Sequence, residues 1–431
     1  MSPQPRGALA DTRPPRTTRA ASACACRFSG GPAALSVAVV GGGIGGLTAA
    51  VALLQAGLDV RVYERAGTLP AVGAGIQLAP NCTRVLAGLG LLPAVERVAV
   101  RPTAFEFRRW DDGRVLSRTP LGDSVETAYG APYLHAHRGD LVALLAEAGT
   151  ADCVEVGRRC VGVEPRGERA EVVFADGSRT TADVVVGADG IHSAVRQSLF
   201  GGDRPRFTGH VAYRGLVPAG RLAHLGLEPR CTVRLGPGAH VVHYFVSAGR
   251  LVNVVCVTEE NAWRRESWTD HGDVAELRAA FHGWHPVVRE IVGTLDAPLK
   301  WALFDRDPLP CWSRGPVALL GDACHPMLPY GAQGYAQAVE DAAVLAACLA
   351  VPAVRDIPAA LARYAALRRD RAARVQAISR GNGVRFHLPD GPEQQTRDAA
   401  MAASFGLAPE IDWLYGHDVS ASLSDITVAV D

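Results

Sequence analysis

Hydrophobic and polar residues alternate with one rhythm in some parts of this chain and another rhythm elsewhere. Val37–Val40 is a short unbroken apolar run, a stretch of Ala, Val and Leu continues to about Gly57, and Val60–Tyr63 is a second short run that ends at Glu64. Short β-branched runs without alternation predict parallel strands buried on both faces, and the stretch between them predicts a helix. Two further runs of this kind are "DVVVGADG" at 183–190 and "PVALLGD" at 316–322. Between 206 and 299 the habit changes to period two, in 210–218, 231–247 and 250–260, with Gly236 and Gly238 between runs. That predicts an antiparallel sheet with one face free for packing. After Leu349 the chain becomes helical and Arg-rich, as expected of a solvated helix lying on the body of the protein.

Composition narrows the function. The 431 residues are 48% hydrophobic and 20% charged with zero formal net charge, and no run of like charges stands out. This is an ordinary globular balance, which favours neither a nucleic-acid nor a membrane partner. Lys300 is the one lysine. Ten scattered cysteines without a CxxC pair read as reduced thiols in a cytoplasmic protein with no metal site. Residues 1–34, rich in Arg, Pro, Ser and Ala, are similar to a transit peptide but run into a glycine-interrupted strand, so a disordered extension is expected.

The strongest local signal is Gly41-x-Gly43-x-x-Gly46, with Gly45 inside it, set between the first strand and the first helix. Gly41 permits a tight turn, Gly43 lets backbone amides approach a pyrophosphate, and Gly46 allows helix and strand to pack closely. The helix N-terminus adds positive dipole. Glu64, about 20 positions on, is placed to accept both hydroxyls of an adenosine ribose. An acidic residue there disfavours a 2′-phosphate, which leaves FAD or NAD.

Together with "GADGIHSAVR" (Asp189, Gly190, Ser193, Arg196) and Gly321–Asp322 with its proline loop, the glycine turn resembles the group A flavoprotein monooxygenases, the FAD-dependent aromatic hydroxylases. The three motifs stand in the family's order and span about Val37 to Val375. The resemblance implies an α/β fold like that of p-hydroxybenzoate hydroxylase, with a Rossmann-like FAD-binding domain interleaved with a mostly antiparallel substrate-binding sheet. It places the FAD domain at 35–205 and 300–380, the substrate sheet at 206–299 and a tail at 381–431 whose "WLYGHD" segment docks on the body. Glu64 and Arg65 would hold the adenosine end, Arg138 would reach FAD from a helix start, Asp189 would lie near the pyrophosphate, and Asp322 would bond the ribityl or ribose hydroxyls. The loop His325–Gly334, with Pro329 also touching substrate, would lie against the isoalloxazine, and the helix beginning near Gly334 would aim its N-terminus at the flavin.

The stretches 73–91, 118–123, 307–330 and 413–418 are similar to the salicylate hydroxylase, 3-hydroxybenzoate hydroxylase and 6-hydroxynicotinate 3-monooxygenase branch, with the last of these expected nearest. Two departures stand out: Gln77 occupies a position where the hydroxynicotinate pattern has histidine, and the loop reads "GAQGYAQA", with Gly331 and Tyr335. On the substrate side the resemblance assigns Tyr244 to the substrate hydroxyl, as a proton relay, with His240 on the same strand face. His325, Gln77 and His240 join it as catalytic candidates. Arg214 is a candidate for a bidentate grip on a substrate carboxylate, or for a surface pair. The implied reaction uses NADH or NADPH and O2 to form a flavin C4a-hydroperoxide that hydroxylates a small phenolic or hydroxylated N-heteroaromatic acid, with decarboxylation left open, in a monomer or homodimer. The rival readings are an FAD-binding protein without hydroxylase activity and a flavin oxidase or halogenase. The halogenase WxWxIP signature is absent, but a lysine in the flavin pocket would require Lys300 to reach it.

Overall fold

The valine-rich runs assemble into one parallel sheet. Strand Ser36–Val40 pairs in parallel with both Asp59–Tyr63 and Val184–Gly187, and Val184–Gly187 pairs in parallel with Val317–Leu319. Val154–Glu155 and the antiparallel Ser313–Arg314 complete the six strands. Val39, Val186 and Leu319 are fully buried, and each such side chain contributes roughly 1.5–3 kcal/mol by leaving water. The computed structural model describes residues 34–69, 73–202, 204–260, 271–350, 356–403 and 409–421. The chain divides into Met1–Ala34 and Leu35–Asp431, so the extension expected at 1–34 lies, Ala34 apart, outside the described residues. No helix among the described residues is long and apolar enough to cross a membrane.

The second sheet has seven strands in the order Leu299–Asp305, Arg206–Pro218, Leu251–Glu259, Ala239–Val246, Arg230–Gly236, Ala104–Arg109 and Val115–Pro120. The expected stretch 231–247 is a hairpin that turns at Gly238, where φ is +61°. Both faces of the sheet are covered. Val241 and Val254 pack against helices Val274–Ala280 and Pro286–Gly293, while His240, Val242 and Tyr244 face a cavity. The sheet is wider than the span 206–299. Ala104–Arg109 pairs in parallel with Arg230–Gly236 and brings Val115–Pro120 with it, and Leu299–Asp305 joins the opposite edge. The tail boundary at 380 also falls inside a helix, Ile357–Phe386, which Asp356 caps by accepting a hydrogen bond from Ala359 N at 2.9 Å.

A buried ion cluster joins the helix Gly334–Leu349 to that long helix. Arg368 donates from Nη1 to Glu340 at 2.5 Å and from Nε to Asp341 at 2.8 Å, and Arg371 donates from Nε to Glu340 at 2.7 Å. Burial alone would raise the Glu340 carboxyl, but Arg368 and Arg371 outweigh it and bring it down to about 2. Asp341 also accepts from the Gly321 amide at 3.1 Å and holds His325 Nε2 at 2.6 Å. One carboxylate therefore ties the Gly321–Asp322 turn to two helices.

Removing one partner of a buried pair leaves a charge without compensation, which costs about 3–5 kcal/mol. Arg368→Met is expected to lose that much stability in urea unfolding of the FAD-loaded protein. Burial opposes the His325 imidazolium, but Cys324 and Asp341 outweigh it and hold its pKa well above the ordinary histidine value. Its contribution is therefore full below about pH 6.5 and fades as pH rises through the raised folded value. The wild-type melting temperature should accordingly fall more steeply on the alkaline side than that of His325→Gln.

Candidate active site

The glycine turn is shaped as the sequence requires. Gly41 has φ +114°, and a Cβ there would lie 2.4 Å from the Ala188 carbonyl oxygen; a Cβ on Gly46 would lie 2.0 Å from the Gly41 oxygen. A Cβ on Gly43 would meet only Arg138 Nη2, at 3.6 Å, so the space above this turn is open. Gly45 serves packing as well, because its Cβ would touch Ala338 of the helix Gly334–Leu349 at 3.3 Å. Glu64 Oε2 accepts from Gly42 N at 2.7 Å and Oε1 from Ala66 N at 2.8 Å. Each oxygen keeps a second lone pair for a diol.

Several polar groups around this groove have no protein partner. Arg138, at the start of helix Arg138–Leu145, has a buried Nε without a hydrogen bond. Burial lowers its pKa, opposed by Asp322 and Glu64. Asp322 opens on the cavity, and its carboxyl is pushed up by burial against the pull of His325 and Arg138. An orphaned guanidinium, a carboxylate, exposed turn amides and two helix N-termini fit the pyrophosphate and hydroxyls of FAD. Gly43, Gly45, Arg138, Asp322 and Gly334 line the same cavity, which has a volume of about 1000 Å³.

The remainder of the cavity lining is rich in aromatic side chains. Phe105, Phe107, Tyr133, Trp301, Phe304 and Tyr330 form walls, and Gln77, Arg214, His240, Tyr244 and Pro329 face the space between them. Tyr133 donates its hydroxyl to Gln77 Oε1 at 2.5 Å. Burial pushes the Tyr244 hydroxyl up, helped by Cys231 and opposed by Arg214 and by a hydrogen bond with Gln77. Gly75 makes room for Tyr244, since a Cβ there would lie 2.7 Å from the ring. The Arg214 guanidinium sits 4.9 Å from the Trp301 ring centre, and its Nε is buried without a partner. Burial lowers its pKa, Tyr244 opposes that, and Arg138 adds to it.

Four sequence-selected residues sit elsewhere. His325, expected in the pocket, is instead buried behind its wall, stacked near Trp312 and bound to Asp341. The buried acid drew it inward. The Asp189 carboxylate faces a helix end instead, accepting from Ala194 N at 2.8 Å and Val195 N at 3.3 Å, while its neighbours Gly190, Ile191 and His192 line the cavity. Arg65 is exposed beyond the strand end. Lys300 is outside the cavity lining, with Nζ 2.8 Å from Glu260 and 3.2 Å from Glu276, so it does not supply the lysine of a halogenase. Tyr335, by contrast, does line the cavity, with its hydroxyl turned to Thr48 at 3.0 Å.

The sequence reading missed the C-terminal wall. Phe386, Met401, Leu414 and Tyr415 close the cavity, and His387 touches His240. "WLYGHD" already looked like a docking segment, but nothing local marked Tyr415 or His387 as pocket neighbours.

A dinucleotide groove that opens into an aromatic chamber defines a flavin-dependent aromatic monooxygenase. The FAD binding domain family matches residues 34–379, and the chain belongs to it, within the FAD-dependent aromatic hydroxylases. It is 47% identical over 384 residues, 89% of this chain and 96% of the relative, to the 3-amino-4-hydroxybenzoate 2-monooxygenase PtnB3 of Streptomyces platensis. It is 41% identical, over 80% of this chain and 90% of the relative, to the 6-hydroxynicotinate 3-monooxygenase of Pseudomonas fluorescens. The expectation that the hydroxynicotinate enzyme stands nearest is thereby corrected. A salicylate hydroxylase substrate complex superposes with a TM-score of 0.78 at 30% identity, covering 91% of this chain and 98% of the other.

Because the Asp322 carboxylate has no hydrogen-bond or ion-pair partner among the described residues, Asp322→Ala is expected to leave the fold intact. FAD binding should weaken by roughly tenfold or more, the worth of one charged hydrogen bond, in a fluorescence titration of the apoprotein with FAD.

Proposed function

We propose that this enzyme hydroxylates the ring of a small aromatic acid bearing a hydroxyl group, a hydroxybenzoate with or without an amino substituent, at the expense of NAD(P)H and O2. Arg214 is the observation that carries this reading. It is a half-buried guanidinium that lines an aromatic chamber with its Nε buried, and no hydrogen-bond or ion-pair partner for it is found among the described residues. A buried cation without an anion costs several kcal/mol, and a substrate carboxylate bound in bidentate fashion would offset that cost. The similar enzymes named above are named for acids of this kind.

With the carboxylate on Arg214, the ring would lie between the sheet and the Pro329 loop, its hydroxyl toward Tyr244 and His240. Gln77, held by Tyr133, supplies a neutral amide that orients the ring but takes up no proton at pH 7. That favours a benzoate over a pyridine whose nitrogen calls for a titrating partner. Bound FAD supplies the redox chemistry, accepting a hydride from NAD(P)H and activating O2. Groups at Gly43, Glu64, Arg138, Asp322 and the Gly334 helix end would hold it. Phe105, Phe107, Leu303 and Leu328 keep water from the reacting centre. The described cysteines are free thiols, which suits a reducing compartment, and we place the enzyme in the cytoplasm as a monomer or homodimer.

Arg214→Met should raise KM for a hydroxybenzoate by roughly 30-fold or more, the loss typical of a truncated buried charge pair, with FAD content unchanged. A phenol lacking the carboxyl should be affected little. NAD(P)H consumption by the purified yellow protein reads both, and an unchanged KM would remove Arg214 from substrate recognition.

A further inference from the structure

A row of three histidines leads from the cavity toward the protein surface. His240 lines the cavity, and its Nδ1 lies 2.7 Å from His387 Nε2. His387 Nδ1 lies 3.1 Å from His210 Nε2. At the outer end the Glu259 carboxylate stands 3.5 Å from His387 Nδ1 and 4.0 Å from His210 Nε2, with its side chain 55% exposed. His210 Nδ1 meets the Tyr330 hydroxyl at 2.7 Å. The backbone fixes this arrangement, because His210 and Glu259 are register partners on adjacent strands, and the Gly238 amide donates to the His387 carbonyl.

The other polar route from the cavity stops short. It runs from Tyr244 to Gln77 and Tyr133, and an amide cannot take up and release a proton near neutral pH. Beside it His135 is buried with neither ring nitrogen paired. An imidazole row has no such block, since each ring binds a proton at one nitrogen while releasing another. Burial lowers the pKa of His240, His387 and His210, so each ring is neutral at pH 7 and offers one N–H and one lone pair. The rings of Tyr330 and Phe386 pack against His240. Glu259 is the one carboxylate within ion-pair reach of the row among the described residues.

We propose that His240, His387 and Glu259 carry the ring-hydroxyl proton of the bound substrate out of the cavity, with His210 and Tyr330 holding His387 in register. The route rests on the hydroxylase reading above. The substrate O–H bond breaks and its proton goes to His240 Nε2, the nitrogen not engaged by His387. The proton on His240 Nδ1 passes to His387 Nε2, and that on His387 Nδ1, 3.5 Å from the Glu259 carboxylate, passes to that carboxylate and then to solvent. One proton leaves, the substrate is left as a phenolate with an electron-rich ring, and both imidazoles end neutral as the opposite tautomers. The row resets when His240 Nε2 returns its proton to the product phenolate before release, His387 Nε2 passes its proton back to His240 Nδ1, and His387 Nδ1 regains one from Glu259 and solvent.

The test mixes FAD-loaded protein with 3-amino-4-hydroxybenzoate in chelator-treated, weakly buffered solution containing a pH indicator dye. Proton release is followed by stopped flow, and binding by flavin fluorescence. The wild type should release one proton per ligand bound. His387→Gln should bind the ligand with similar affinity but release its proton roughly 10²-fold more slowly, the usual worth of a positioned proton acceptor. His387→Ala should recover most of the rate when imidazole is added, which a purely structural role would not produce. Glu259→Gln should slow release in weak buffer and regain it in strong buffer. Wild-type release rates in His387→Gln would overturn the route while leaving the hydroxylase reading intact. If the wild type binds the ligand and consumes NAD(P)H without releasing a proton, the route falls in the same way. Failure of the wild type to bind this or any hydroxylated aromatic acid would overturn the hydroxylase reading, and the route with it.

Discussion

The flavin side of this enzyme depends on one buried carboxylate. Asp341 sits at the centre of a fully buried cluster, where it takes Arg368 from the long helix, His325 from the loop and the Gly321 amide from the strand end. A buried charge of this kind is tolerable only when it is paired and fully hydrogen-bonded. Satisfying it therefore draws three distant segments to one point. Their convergence sets the Gly321–Asp322 turn and the start of helix Gly334–Leu349, and so decides where Asp322 and the helix N-terminus face the groove. Glu340, one residue earlier, extends the cluster to Arg371 and to Asn81 at 2.7 Å, tying in the helix Pro80–Gly88 that follows the Gln77 strand.

The chamber on the other side follows the opposite logic. Within the ion cluster almost every buried charge is compensated, whereas along the cavity Arg138 and Arg214 keep buried nitrogens that no protein group satisfies. Such groups lower the stability of the empty protein and become favourable only when a ligand completes them. Both face one cavity, Arg138 beside Gly43 of the glycine turn and Arg214 beside Trp301, so one cavity offers a guanidinium to phosphate and hydroxyl groups and another to a carboxylate. The aromatic lining between them offers a planar ring a dry, stacked fit.

How much of this was legible in the sequence followed the range of the interaction. The glycine turn, its strand and helix, and the acidic residue after the second strand are local patterns, and they folded close to where the spacing put them, at Ser36–Val40, Ile44–Gln55 and Asp59–Tyr63. Period-two spacing likewise puts His240 and Tyr244 on one face, and both line the cavity. Partner choice between distant strands was not legible. Nothing in Ala104–Arg109 announces that it will pair with Arg230–Gly236. His325 leaves the pocket because, although its neighbours in sequence are pocket residues, its decisive partner, Asp341, lies about two helical turns inside the next helix. A strand-end Asp–Gly such as Asp189–Gly190 fits a cofactor contact, but the same residue type also caps a helix, and Asp189 accepts from Ala194 N and Val195 N. His387 and Tyr415 reach the cavity only through the packing of the long helix and the tail, a tertiary fact with no local signature.

The central claim is that this chamber directs activated oxygen onto an aromatic acid. The most direct measurement supplies the FAD-loaded enzyme with NADH or NADPH, heavy-isotope O2 and a set of hydroxybenzoates, and weighs the products by mass spectrometry. The account predicts that at least one acid stimulates NAD(P)H consumption and yields a product carrying one heavy oxygen, formed in step with the reductant used. Consumption of NAD(P)H without any oxygenated product, or a product whose new oxygen comes from water, would contradict it.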